Sequence, residues 1–162
     1  GNLNIKPKGI LSYYGYGFLC DNWFHIPSRF YCSLPTVSEA CLSTIPESIH
    51  TTGDLETHYS VYVYARQKGC WKDLIYEGRD KFFFLDYSLR TCDKLPCPLF
   101  CAHSMGDTDV PYEEFLALSS KYYAQRYIAS CNEHDFDRNT EIPATISLLD
   151  SSIEFLDKIM EA

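Results

Sequence analysis

The sequence has no apolar run near the ~18 residues that a membrane-crossing helix needs, which excludes such a span. It has no excess of positive charge either: 14 Lys and Arg stand against 22 Asp and Glu, for a net charge of −8. Nucleic-acid binding driven by clustered cations is therefore disfavoured, as is electrostatic attachment to an anionic bilayer. No N-x-[ST] sequon occurs, because Asn139-Thr140-Glu141 fails at its third position, so N-glycosylation is not expected. The G-x-S-x-G turn is missing, and with it sequence support for an α/β-hydrolase. Gly15-x-Gly17 does not extend to a dinucleotide or phosphate-loop fingerprint. Gly1-Asn2-Leu3-Asn4 lacks the charged and apolar regions of a signal peptide, so a secreted protein would be present in mature form. No repeat, low-complexity stretch or linker divides the chain, and one domain over residues 1–162 is expected.

Aromatics and cysteines are what the sequence has in plenty. Hydrophobic residues make up 46% of it, with 13 Tyr and 10 Phe, which excludes global disorder. The eight cysteines are Cys20, Cys32, Cys41, Cys70, Cys92, Cys97, Cys101 and Cys131. Their even number and wide spread predict disulfides, and hence an oxidising, extracellular compartment. Spacing leaves the pairing open. Cys92-x4-Cys97-x3-Cys101-x-His103 gathers potential metal ligands but lacks the paired C-x2-C spacing of zinc sites. Neither metal nor cofactor is expected.

Residues 9–18 (GILSYYGYGF) read as a strand with glycine kinks, and 20–32 as a loop. Thr36-Val37-Ser38-Glu39 reads as a capping box opening a helix that carries Val37, Cys41 and Ile45 on one face and ends at Pro46. Residues 58–66 (HYSVYVYAR) alternate cleanly and predict a strand. Residues 71–76 and 81–90 predict two more, in an antiparallel meander. Pro96 and Pro98 make 91–109 an irregular connection. Asp109 and Pro111 open a helix over about 110–129. Pro143, or the capping box at Ser151–Glu154, opens a last one bearing Ile146, Leu149, Ile153, Leu156 and Ile159. Segregated strands and helices predict an α+β fold: a small antiparallel sheet of about four strands, covered by helices and stabilised by disulfides.

Chemistry is sparsely marked. Glu56, His58 and Arg66 share strand parity, which would suit a ribonuclease-like site with His58 as base or acid, Glu56 as its partner and Arg66 as phosphate clamp. A solvated strand face gives the same pattern. Arg66, Lys68, Lys72 and Arg79 cluster around two predicted turns, and Tyr62 and Tyr64 lie opposite Val61 and Val63. Together Tyr62, Tyr64, Arg66, Lys68, Lys72 and Arg79 form a candidate interaction surface.

The segment Cys32-Ser-Leu-Pro-Thr36-Val-Ser-Glu39-Ala40-Cys41, with the later Cys92, Cys97 and Cys101, resembles secreted fungal effectors of the Leptosphaeria avirulence-and-suppressing family, whose members include extracellular proteins of the tomato leaf mould fungus. The resemblance covers about residues 9–131. It implies a four-stranded antiparallel sheet with packed helices, and structural bridges involving Cys32, Cys41, Cys70 and Cys92. It also implies a monomeric, non-enzymatic effector in the host apoplast, with possible entry into host cells, that binds a host plant protein or immune receptor. No catalytic residues transfer from it. A secreted ribonuclease-like hydrolase, or another toxin-like protein, is the alternative.

Overall fold

The computed structural model describes residues 6–45 and 55–161, with side chains from residue 59 onward in the second stretch. In chain order the elements are β1 (Ile10–Tyr13), α1 (Arg29–Ser33), α2 (Leu55–Lys68), α3 (Trp71–Ile75), α4 (Lys81–Asp86), β2 (Leu99–Ser104), α5 (Tyr112–Lys121), β3 (Gln125–Ala129) and α6 (Pro143–Glu161). Short 3-10 turns occupy Asn22–His25, Glu39–Thr44 and Phe136–Arg138. The chain forms two compact units: Gly1–Cys20 with Phe84–Ala162, and Asp21–Phe83.

The first unit is built on a three-stranded sheet, and every pair in it is parallel. This corrects the expected antiparallel α+β sheet. β2 is central: Ile10 pairs with Leu99 on one side and Gln125 with Phe100 on the other. All six of its residues, LFCAHS, are buried. A strand enclosed on both faces reads as a short continuous apolar run without alternation, and this is why 91–109 looked irregular. Pro98 does not prevent the strand. It sits just ahead of it, where its missing N–H costs nothing, and its carbonyl accepts from the Ile10 N–H at 3.0 Å.

Successive β2 side chains sort into two cores, as a period of two requires. Leu99 and Cys101 pack with Phe18, Phe115 and Leu118 on the α5 side. Phe100 and Ala102 pack with Ala129, Phe136, Leu148 and Phe155 on the α6 side. The predicted 110–129 helix stops early because Tyr123 takes a left-handed conformation (φ 51°), and the Ala124 N–H returns to the Ser119 carbonyl at 2.9 Å. No glycine marks that stop, and β3 follows it. The last helix does start at Pro143, but Thr145, Leu148, Ser152 and Phe155 form its buried side. The apolar stripe of Ile146, Leu149, Ile153 and Leu156 is exposed.

The second unit is helical. The predicted strand 58–66 belongs to α2, and those at 71–76 and 81–90 give α3 and α4. Alternating Tyr and Val offer little polar contrast to fix a period, so tertiary packing decides. In α2, Val63, Tyr64, Ala65 and Arg66 are all buried. The Tyr62 ring stands edge-on to Tyr31 of α1 at 5.6 Å and to Trp71 of α3 at 6.3 Å. Gly69 ends α2 at φ 65°, with Cys70 N–H bonding to the Ala65 carbonyl at 3.0 Å; any Cβ there would meet the His25 carbonyl. The expected helix at 36–45 is a 3-10 turn capped by Ser38 rather than Thr36. Gln67 stitches the segment before it, accepting from Val37 N–H at 3.0 Å and donating to the carbonyls of Tyr31 and Pro35.

No disulfide holds the described structure: all eight cysteines are free thiols. This corrects the bridges assigned to Cys20, Cys32, Cys41, Cys70, Cys92, Cys97, Cys101 and Cys131, and removes the argument for an oxidising compartment. Cys101 is buried in the sheet, and burial pushes its thiol up to about 12, with only a small opposing effect from Arg126. Alkylation in denaturant without reductant is expected to modify all eight thiols. In the native protein Cys101 should react last. Mass spectrometry showing fewer than eight adducts after denaturation would reinstate a bridge.

Candidate active site

The carboxyl ends of the three strands converge, and in open α/β sheets this is where ligand and catalytic groups gather. The loops after β2 and β3 are joined by backbone. Met105 N–H donates to the Ala129 carbonyl at 2.9 Å, and Gly106 N–H to the Cys131 carbonyl at 3.0 Å. The Ser104 hydroxyl donates to the same Cys131 carbonyl at 2.6 Å. Gly106 is required here, since a Cβ would run into Asn132. This junction brings Asp107 and His134 together although 27 residues separate them.

Asp107 is fully buried, and its carboxylate does two things. Oδ1 accepts from the backbone N–H groups of Asp109 (2.8 Å) and Val110 (2.9 Å), closing the turn on itself. The carboxylate also receives His134 Nδ1, at 3.1 Å from Oδ1 and 2.9 Å from Oδ2. Burial pushes the Asp107 carboxyl up, but the His134 hydrogen bond and the two backbone donors outweigh it, and the net shift is downward. Burial pushes the His134 imidazole down, but its bond to Asp107 and the charges of Asp107, Asp109 and Asp135 outweigh that, and the net shift is upward. Nδ1 therefore carries the proton held by Asp107. Nε2 points away from it, 3.8 Å from Asp109 Oδ2, and accepts no hydroxyl or thiol among the described residues.

Two further side chains frame the pair. His103, on β2, is fully buried, with Nε2 at 3.1 Å from the Val110 carbonyl and 3.4 Å from Asp107 Oδ2. Both neighbours are acceptors, which assigns the proton to Nε2. Burial pushes His103 down against the opposing pull of Asp107, so the ring stays neutral. Tyr14, just past β1, sets its ring 4.5 Å from that of His134 and donates its hydroxyl to Asp137 Oδ1 at 2.6 Å. Burial first, and then Asp137, push the phenol up, so it remains a donor.

Of the residues weighed from the sequence for chemistry, His103 alone lies here, and none of the ribonuclease-like or interaction-surface candidates does. Glu56 and His58 have side chains outside the described residues. The proposed interaction surface does not form as drawn: Tyr64, Arg66 and Lys72 are buried, Tyr62 is half-buried, and only Lys68 and Arg79 are exposed. Arg66 lies 5.0 Å from the Trp23 ring, inside an aromatic cluster. Asp109 does not cap α5, whose N-cap is Pro111 with no side-chain bond. No group of three His, Cys, Asp or Glu side chains among the described residues is placed to hold a metal ion. The missed pair left a faint signal: the apolar run Leu99–Ala102 five residues before Asp107, then a helix, a second strand and His134.

No family model matches the sequence, and no curated protein does. Two solved structures match the fold. One is a protein of unknown function from Staphylococcus aureus subsp. aureus Mu50, with TM-score 0.77 and 24% identity over 94% of this chain. The other is an alpha/beta hydrolase superfamily protein from Enterococcus faecalis, with TM-score 0.75 and 20% identity over 96% of this chain. The chain spans 56% of the length of each. The fold is thus alpha/beta hydrolase-like. This overturns the non-enzymatic effector expected from the family resemblance, together with its four-stranded, disulfide-braced fold. Lack of a G-x-S-x-G turn tested for a nucleophile motif alone, and was silent on the Asp107–His134 pair.

The paired shifts set a window for stability. His134, raised when folded, contributes fully below its ordinary value of 6.5 and loses the contribution as pH rises through the folded value. Asp107, lowered when folded, contributes fully above 3.8 and loses it as pH falls through the folded value. Asp107→Asn should therefore destabilise most between those values, with the difference from wild type shrinking at alkaline pH. Urea unfolding of both proteins from pH 4 to 9 measures this, and a pH-independent difference would refute the ion pair.

Proposed function

We propose that this chain supplies the acid and the base of a hydrolytic site acting by acyl transfer. The observation that carries this reading is the His134–Asp107 contact at the carboxyl end of a parallel sheet. It has the polarity a relay needs: the carboxylate holds Nδ1–H, fixing the tautomer and leaving Nε2 as the basic atom. The alpha/beta hydrolase-like fold supports the same reading.

In this reading His134 Nε2 takes the proton of a hydroxyl nucleophile as that oxygen attacks an ester carbonyl. Asp107 stabilises the imidazolium, which returns the proton to the departing alkoxide. Water then repeats the sequence to release the acid. None of the described residues is assigned the part of the nucleophile, since none places a hydroxyl or thiol on His134 Nε2. Cys101 is unsuited to the part, being buried and held protonated.

The test uses the protein with a p-nitrophenyl ester and a fluorophosphonate probe. The unaltered protein should hydrolyse the ester and take up the probe on one serine. Asp107→Asn and His134→Ala should each lower kcat by roughly 10³–10⁴-fold and abolish probe labelling, while Cys97→Ser leaves both unchanged. Hydrolysis that survives loss of His134 would overturn the assignment.

A further inference from the structure

Tyr14 is built in a way that packing alone does not require. Its backbone sits at φ 42°, a left-handed conformation that bulky residues rarely adopt. Its N–H still donates to the Ala102 carbonyl at 2.7 Å, so the bend comes as the β1–β2 ladder ends. Gly or Asn would serve that backbone more easily, yet the position carries a large ring. Strained residues of this kind concentrate where the side chain has a task.

The ring and the hydroxyl reach the same segment at two points. The ring lies 4.5 Å from the imidazole of His134, tilted by 56°, and 6.2 Å from Phe136, edge-on. The hydroxyl meets Asp137, three residues beyond His134. Within the same segment Phe136 is independently fixed, through its carbonyl to the Thr145 hydroxyl at 2.7 Å. What remains for His134 itself is Asp107 at Nδ1, the longer 3.8 Å approach of Asp109 Oδ2 to Nε2, and Tyr14 against its ring. The Asp107 carboxylate fixes the position of Nδ1, and an ionic approach at 3.8 Å is too long to fix the tilt of the ring, which sets where Nε2 points.

We propose that Tyr14 is a positioning residue for His134: its ring is the wall that fixes the tilt of the imidazole, and its bond to Asp137 tethers the segment carrying it. The catalytic consequence rests on His134 being the base. The positioning does not, and the two are separable.

The test pairs Tyr14→Phe, which keeps the wall, with Tyr14→Leu, which removes it. In isotope-labelled protein, NMR of the His134 Cε1–H should show the ring-current shift retained in the Phe variant and lost in the Leu variant. With an ester substrate, Tyr14→Leu should lower kcat by roughly 10–100-fold with KM within about twofold, while Tyr14→Phe stays within about threefold of wild type. Should the Leu variant not fold, Tyr14→Asn removes the ring on a backbone that Asn tolerates, with the same readouts expected. A wild-type His134 resonance in the ring-free variant, or equal impairment of the Phe and Leu variants, would overturn the proposal. Absence of hydrolysis in the unaltered protein would instead remove the catalytic reading, and the NMR comparison would still decide the wall.

Discussion

Strand β2 is the constraint on which the first unit depends. Among the described strands it alone has hydrogen-bonded neighbours on both edges, and its side chains supply both cores. Phe100 and Ala102 reach toward α6, Leu99 and Cys101 toward α5. A dry, doubly covered strand admits few polar atoms unless they are satisfied. The polar side chains at its carboxyl end, His103 and Ser104, are turned to use. Ser104 ties the β3 loop through Cys131, and His103 faces the carbonyl of Val110 and the carboxylate of Asp107. The end of the strand thus passes from core to chemistry within two residues.

Asp107 shows how one carboxylate serves architecture and electrostatics together. Two backbone donors and one imidazole surround it, so its charge is compensated although water is excluded. The backbone donors come from residues two and three positions onward, which makes the local turn a condition for the long-range contact. The imidazole comes from the loop after β3, which passes so close to Gly106 that a Cβ there would meet the Asn132 side chain. The contact of Asp107 with His134 is a consequence of how the two loops are zipped.

Parts of this were legible in the sequence and parts were not, for physical reasons. α6 was visible because its apolar residues recur at helical spacing, yet its buried side was not: Thr145 and Ser152 bond inward to the carbonyls of Phe136 and Leu148, while isoleucines face out. α2 was misread because a period of two in Tyr and Val carries no information once the residues are buried on several sides. β2 was missed because two prolines close before it resembled a broken segment. The cysteines misled most: an even count is compatible with pairing but does not require it. The pairing of Asp107 with His134 was invisible because it has no fixed spacing, and the loops at the end of the sheet alone bring the two together. Tyr14 and Tyr123 adopt conformations that their residue type does not announce.

The parallel pairing of β1 with β2 has a consequence during synthesis. Ile10 and Leu99 are partners, so the strand leaves the ribosome long before the only described element able to satisfy its backbone. At roughly 5–20 residues per second, the wait is on the order of 5–20 s. The whole of Asp21–Phe83 is made in that interval and can collapse as its own unit. The early segment must meanwhile avoid other partners, with Tyr13, Tyr14 and Leu11 uncovered. The yield of folded protein is therefore expected to depend on what shields the four residues of nascent β1, more than on the stability of the finished sheet.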